Sequence, residues 1–221
     1  MPYRQTENVV RKLAARHEAI LAAACDAAAE GGMAAVQMAA VAERAGIAAG
    51  TVYRYFPSKT ELVAALVAEL AEREIGALAR AAAAAPGPLS ALAAAVTTFA
   101  ARALARRRLA FALIAEPVEP ELDAARVTYR KALAGELERL IRVALEGGHL
   151  PDQDAALSAP ALVGALIEGL IGPLAAGDDP ATARARVQAL TLFALRGLGV
   201  VDARARGLVV QVVMPEPGLA P

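Results

Sequence analysis

Between positions 49 and 59 the chain reads AGTVYRYFPSK, and the polar side chains of this stretch are of one chemical kind. Thr51, Tyr53 and Tyr55 carry hydroxyl donors, while Arg54 and Lys59 carry cations. Donors gathered without a partnering base, nucleophile or metal ligand suit the holding of an anion, above all the free oxygens of a phosphate. Arg54 can also present two parallel N–H groups to a guanine edge, and the small Ala49 and Gly50 permit close approach to a groove. Catalytic chemistry is sparse by comparison. The two histidines, His17 and His149, fall on separate helical segments, and neither G-x-S-x-G nor G-x-G-x-x-G occurs. Binding is therefore expected, with no enzymatic activity, no metal and no cofactor.

These residues need elements to hold them, and the spacing of apolar residues is helical nearly throughout, in an alanine-rich chain. The expected fold is all-α. Leu13, Ile20, Leu21, Ala24 and Ala28 mark the core face of a first helix that ends at Gly31-Gly32. Met38, Val41, Ala42 and Ala45 mark a short second helix stopping at Gly46, and a third spans about 49–55 with Val52 and Phe56 turned inward. Pro57 bars its extension. Ser58-Lys59-Thr60-Glu61 is a capping box opening a long fourth helix with a Leu62, Leu66, Leu70 stripe, broken at Pro86-Gly87-Pro88. Further helices are expected near 89–108, 109–115, 120–146, 154–176 and 180–198. Asp179-Pro180 supplies a cap and a first-turn proline for the last. Pro160 either kinks its helix or marks a later start near Ser158. The tail from 201 to 221, with Val209, Val210, Val212 and Val213, reads as an extended apolar segment.

Two short helices joined at Gly46-Ile47 and braced by a longer one have helix-turn-helix proportions. A DNA backbone would satisfy every outward donor on the third helix. The segment AVAERAGIAAGTVYRYFPSKTELVAAL resembles the DNA-binding domain of the TetR/AcrR family of bacterial regulators, over roughly Arg16 to Leu70. The resemblance implies that Thr51, Tyr53, Tyr55 and Lys59 hold phosphates and that Ala49, Gly50 and Arg54 lie nearest base edges. Two positions depart from the family pattern: Gln37 and Ala48 stand where a hydroxyl cap is usual, which removes a cap worth about 0.5–2 kcal/mol. Gln37 keeps an amide to donate. Arg44 either reaches DNA or is simply solvated. Arg4, Arg11, Lys12 and Arg16 form either a basic arm or a soluble end.

The resemblance implies that the rest of the chain is a helical ligand-binding and dimerisation domain. The expected division is 1–58 for DNA, 59–200 for effector and dimer, with helix four (59–85) linking the two, and 201–221 as tail. An apolar effector pocket is expected around Phe99, Phe111, Leu113, Tyr129, Leu133 and Ile167, with polar specificity from Glu116, Arg126, Tyr129 or Arg130, and with an anionic or carboxylated effector favoured if the arginines face inward. The alternative for Glu116 or Glu119 with Arg126 and Arg130 is a structural ion pair. Dimerisation is expected through Gly164, Ala165, Gly169 and Gly172 on one helix and Val187, Leu190, Thr191, Ala194, Leu195 and Leu198 on the next. Glu168 lies in the same apolar helix, as an interface charge or a pocket group.

Lys+Arg and Asp+Glu are each 23, so net charge neither requires nor excludes a nucleic-acid partner. Cys25 has no second cysteine to join, the N-terminus is polar before its first apolar run, and Ala161–Gly177 falls short of a membrane span. The expected setting is the cytoplasm, without membrane contact. The expected function is a homodimeric, ligand-released repressor of operator DNA, with a helical protein-interaction scaffold and an enzyme as the competing readings. Steep weakening by salt separates DNA binding from the scaffold.

Overall fold

The computed structural model describes residues 7–116, 120–175 and 179–214. The expectations for Arg4, Glu119 and the last seven residues of the tail lie outside them. Among the described residues every regular element is helical. In chain order these are α1 (Glu7–Gly31), a 3-10 turn (Met33–Ala35), α2 (Met38–Arg44), α3 (Ala49–Tyr55), α4 (Lys59–Ala83), α5 (Pro88–Ala105), α6 (Arg107–Ile114), α7 (Pro120–Glu146), α8 (Ala155–Ala175), α9 (Pro180–Gly197) and α10 (Asp202–Gln211).

The N-terminal unit closes over Ile20, Val36, Val41 and Val52, all fully buried, with Met38 and Phe56 beside them. Leu13 does not join this core. It is exposed, because the inward face of α1 begins at Ile20. The turn from α2 to α3 is set by Gly46 at φ 63°, where the Ile47 N–H donates to Ala42 O and the Gly46 N–H to Glu43 O. That paired arrangement is a Schellman ending, which needs a left-handed residue that glycine supplies without strain. Ser58 starts α4 as expected, its Oγ accepting from the Glu61 N–H at 3.1 Å.

In the larger body α4 packs on α5 and α7, α5 on α9, and α7 on α8. Leu62, Leu66, Leu92, Leu133, Ile141 and Leu170 fill the middle. The eighth helix is a single element from Ala155 that contains both Pro160 and Pro173. It matches the expected 154–176 closely and does not start late at Ser158, and, against the expectation that 161–177 falls short of a span, α5 and α8 are both long and apolar enough to cross a membrane by length and composition. α5 lies largely inside the bundle, whereas α8 is only 39% buried.

Over 202–211 the tail is not extended, and only at Val212, with φ −69° and ψ 127°, does the backbone open out. Asp202–Gln211 is a helix docked on α9 and α5, with Ala205 fully buried and Asp202 paired to Arg196 and Arg206. A charged N-terminal turn and a packing face override the strand preference of the valines.

Candidate functional site

α3 presents its outer surface without cover. Ala48, Ala49, Gly50, Arg54 and Tyr53 are exposed, Tyr53 by 52%, while Thr51, Tyr55 and Lys59 are partly so. Val52 and Phe56 are held inside, so the buried and presented faces of this seven-residue helix divide cleanly. Tyr55 has a second job. Its ring packs at the core margin 6.5 Å from His17 of α1, and the Arg54 guanidinium lies 5.9 Å over it. Arg54 thus has a base-facing helix position and a stacking partner that restricts where its fork can point.

The two unusual positions are filled by backbone rather than by caps. Neither Gln37 nor Ala48 caps its helix through a side chain, and the Gln37 amide donates instead to Ala34 O at 2.9 Å. Arg44 is committed too. Its guanidinium forms a fork with both Glu30 oxygens at 2.8 and 2.6 Å, which ties α2 to the end of α1 and holds the Glu30 carboxyl below its usual range. Contact with DNA from Arg44 would have to compete with this pair.

A small cavity of about 30 Å³ opens among α4, α5, α6 and α7. Its walls are mainly apolar, from Leu70, Phe99, Leu109, Leu113 and Ile114, and one end is polar, from Glu74, Arg102 and Tyr129, with Arg106 also on the lining. Arg102 donates from Nε and Nη2 to the two Glu74 oxygens at 2.7 and 2.8 Å. Of the residues expected around the pocket, Phe99, Leu113 and Tyr129 line this space, and Leu133 is a core residue off it. Phe111 and Ile167 do not line it; they pack in the surrounding core.

Glu116, Arg126 and Arg130 are not on this lining; among the described residues no ion pair joins Glu116 to either arginine, and the Glu119 alternative lies outside them. The buried Arg126 donates from Nη2 to Ala112 O at 2.6 Å, and Arg130 from Nη2 to Ile114 O at 3.4 Å. Both arginines therefore close the carbonyl end of α6, where cations are favoured. Glu116 reaches in the other direction. Its Oε2 accepts from the Met33 N–H at 2.9 Å, joining the end of α6 to the 3-10 turn between α1 and α2. Gly32 makes room for it: at φ 76° and ψ −174° the backbone is in a region open only to glycine, and a Cβ there would sit 2.6 Å from Glu116 Oε2.

The expected dimer residues divide. Gly164, Gly169 and Gly172 are exposed on α8 and Ala165 is partly so, as is Leu190 on α9. Val187, Thr191, Ala194, Leu195 and Leu198 are buried within the chain, because this stripe faces inward, with the Thr97 and Thr191 hydroxyls 3.0 Å apart between α5 and α9. The outer face of α9 instead carries Phe193, 57% exposed, and α8 carries Leu157, 68% exposed. Glu168 is exposed, so it is no pocket group.

Sequence reading missed Glu74, Arg102 and Arg106. A signal was present for the first: the stripe Leu62, Leu66, Leu70 continues at the same spacing to Glu74, a charge where a core residue is due.

A helix-turn-helix with an open second helix, carried on an all-helical body, defines a class of DNA-binding regulators. Residues 20–66 match the model of the family described as bacterial regulatory proteins, tetR family, a segment that takes in the end of α1, α2, α3 and the start of α4. It is 53% identical over 58 residues to the HTH-type transcriptional repressor KstR of Rhodococcus jostii (strain RHA1), covering 26% of this chain and 27% of that one. Identity to KstR of Mycobacterium tuberculosis (strain ATCC 25618 / H37Rv) is 56% over 48 residues, or 22% of each chain. The chain thus spans about a quarter of the length of these curated relatives. Over the whole fold it is similar to RolR solved with resorcinol, at TM-score 0.70 and 24% identity, covering 95% of this chain and 100% of that one. FadR from Bacillus subtilis in complex with stearoyl-CoA gives TM-score 0.66 at 20% identity, with 79% and 97% covered.

Proposed function

We propose that this chain is a sequence-specific DNA-binding transcriptional repressor that acts as a homodimer and lets go of its operator when a small molecule fills the cavity of the helical body. The observation that carries this reading is the uncovered face of α3, with Tyr53, Arg54 and Thr51 presented and Lys59 in the first turn of α4. Tyr53, Thr51 and Lys59 hold phosphates, with Tyr55 contributing its hydroxyl from the margin. Ala49, Gly50 and Arg54 face base edges. Residues 1–58 form the DNA-reading part and 59–200 the sensing and pairing part. Binding rather than catalysis is its work, and the cytoplasm is its setting.

One short helix reads too few base pairs, so two copies bind half-sites about 34–36 Å apart or a multiple of that. The exposed apolar side of α8, with Phe193 on α9, supplies a surface for a second copy. Two routes then link cavity and DNA. α4 runs from Lys59 to the cavity wall at Leu70 and Glu74, and α6, which also lines the cavity, ends at the Glu116 bond to Met33. The neighbours solved with resorcinol and stearoyl-CoA support a small organic effector. A tenfold loss of operator affinity needs only about 1.4 kcal/mol of preference for the released arrangement.

The test is to select operator sequences from random DNA and to measure affinity against salt. Tyr53→Ala and Lys59→Ala should weaken binding to all sequences, Lys59→Ala lowering the salt slope by about one, while Arg54→Ala should also relax base preference by about 1–3 kcal/mol. Unchanged binding in both Tyr53→Ala and Lys59→Ala would sink the assignment, and salt-insensitive binding would favour a protein-binding scaffold.

A further inference from the structure

The polar end of the cavity is chemically uneven. Arg102 and Glu74 satisfy one another through a two-point fork, each about four-fifths buried, so this pair presents almost no net charge inward. Tyr129 is left over. It lines the cavity at 3% exposure, its hydroxyl lies within electrostatic reach of both Glu74 and Arg102, and among the described residues it makes no hydrogen bond. Its oxygen is not among the fully enclosed unpaired atoms, so it meets the cavity, and a hydroxyl with no internal bond facing that space is a donor open to an acceptor.

Building on the effector reading above, we propose that the cavity selects a neutral, largely apolar molecule bearing an oxygen that accepts a hydrogen bond from Tyr129, and that it discriminates against carboxylates. The apolar body lies along Phe99, Leu109, Leu113 and Ile114, which offer no hydrogen bonds, and the oxygen reaches Tyr129. Burial raises the phenol above its ordinary value, so the hydroxyl stays a protonated donor wherever the protein is folded. A carboxylate placed there would lose its water and find Arg102 already engaged by Glu74, with no free cation to offset the loss. Arg106 is exposed, so an anion at the mouth would gain only a hydrated ion pair of little value.

The matched probes are 4-phenylphenol, neutral at pH 7, and biphenyl-4-carboxylate, titrated into the full chain by calorimetry. 4-Phenylphenol should bind at least tenfold more tightly. Tyr129→Phe should weaken it about tenfold while leaving the melting temperature unchanged or higher, because the lost hydroxyl has no internal bond to break. Equal or tighter binding of the carboxylate, abolished in Arg106→Gln, would overturn the proposal in favour of an anion site at the mouth. So would undiminished 4-phenylphenol binding in Tyr129→Phe, or no binding of either probe. Operator release is measured separately: a probe that binds through Tyr129 without releasing DNA upholds this inference and defeats the sensor reading.

Discussion

The helix-turn-helix and the helical body solve opposite problems with the same kind of element. In the first, two helices of seven residues each bury a few side chains and leave Tyr53 and Arg54 outside, so nearly every residue is tied to a turn, a cap or a contact. In the second, helices of 18–27 residues share a large core, and alternative apolar residues can fill it while keeping the packing. The matches divide in the same way, with about half the residues identical to KstR over the first unit and 20–24% identity to whole-chain neighbours. Double-stranded DNA has one shape, and a surface that must fit it has few solutions. A cavity has only to be apolar, lined by the right few polar atoms, and connected to the part that moves.

That contrast can be broken experimentally. The largest effect is expected where the body controls the DNA unit without touching DNA. Phe193→Glu on the outer face of α9 should leave a folded monomer by ultracentrifugation and lower operator affinity about 10²-fold or more, since two linked half-site contacts exceed one by roughly 10²–10⁴. A full-strength dimer would place the interface elsewhere. Two positions away, Leu195→Ala should instead cost about 2–5 kcal/mol in denaturant unfolding, because it empties a core site 1% exposed. Similar outcomes for Phe193 and Leu195 would erase the two-faced reading of α9.

Smaller effects sharpen the boundary between the regions. Gly32→Ala should lose about 1–3 kcal/mol from backbone conformation alone, with the crowding of Glu116 added to it. Wild-type stability there would mean that the turn relaxes freely. Arg44→Ala should leave the melting temperature nearly unchanged, as the pair is solvent-screened, with the Glu30 side chain 66% exposed. A drop in operator affinity at unchanged stability would show that Arg44 leaves Glu30 for phosphate.

What could be read from sequence follows the range of the forces involved. The Gly46 turn, the Ser58 cap and the inward Val52 and Phe56 are decided within a few residues of chain, and they stand where local rules put them. The α9 stripe was legible as buried, but periodicity names a face and not its neighbour, and α5 rather than a second copy occupies it. Glu116, Arg126 and Arg130 are close in sequence and opposite in charge, which invited pairing. The unsatisfied carbonyls ending α6 and the Met33 N–H are backbone groups whose proximity no side-chain pattern records. Of the cavity's polar end, Tyr129 was expected and Glu74 interrupts the α4 stripe, but their meeting with Arg102 exists only when three helices are assembled.

The contact between Gly32 and Glu116 bears on how such proteins can be recombined. A graft that splices a foreign sensing body onto this reading head at α4 joins only the covalent seam. The second seam crosses from the end of α6 to the turn after α1, and it demands a glycine on one side and a carboxylate of the right reach on the other. Chimeras that carry both positions across together should respond to the new body's inducer, whereas those that carry one should fold with an ill-fitting joint and read DNA without listening.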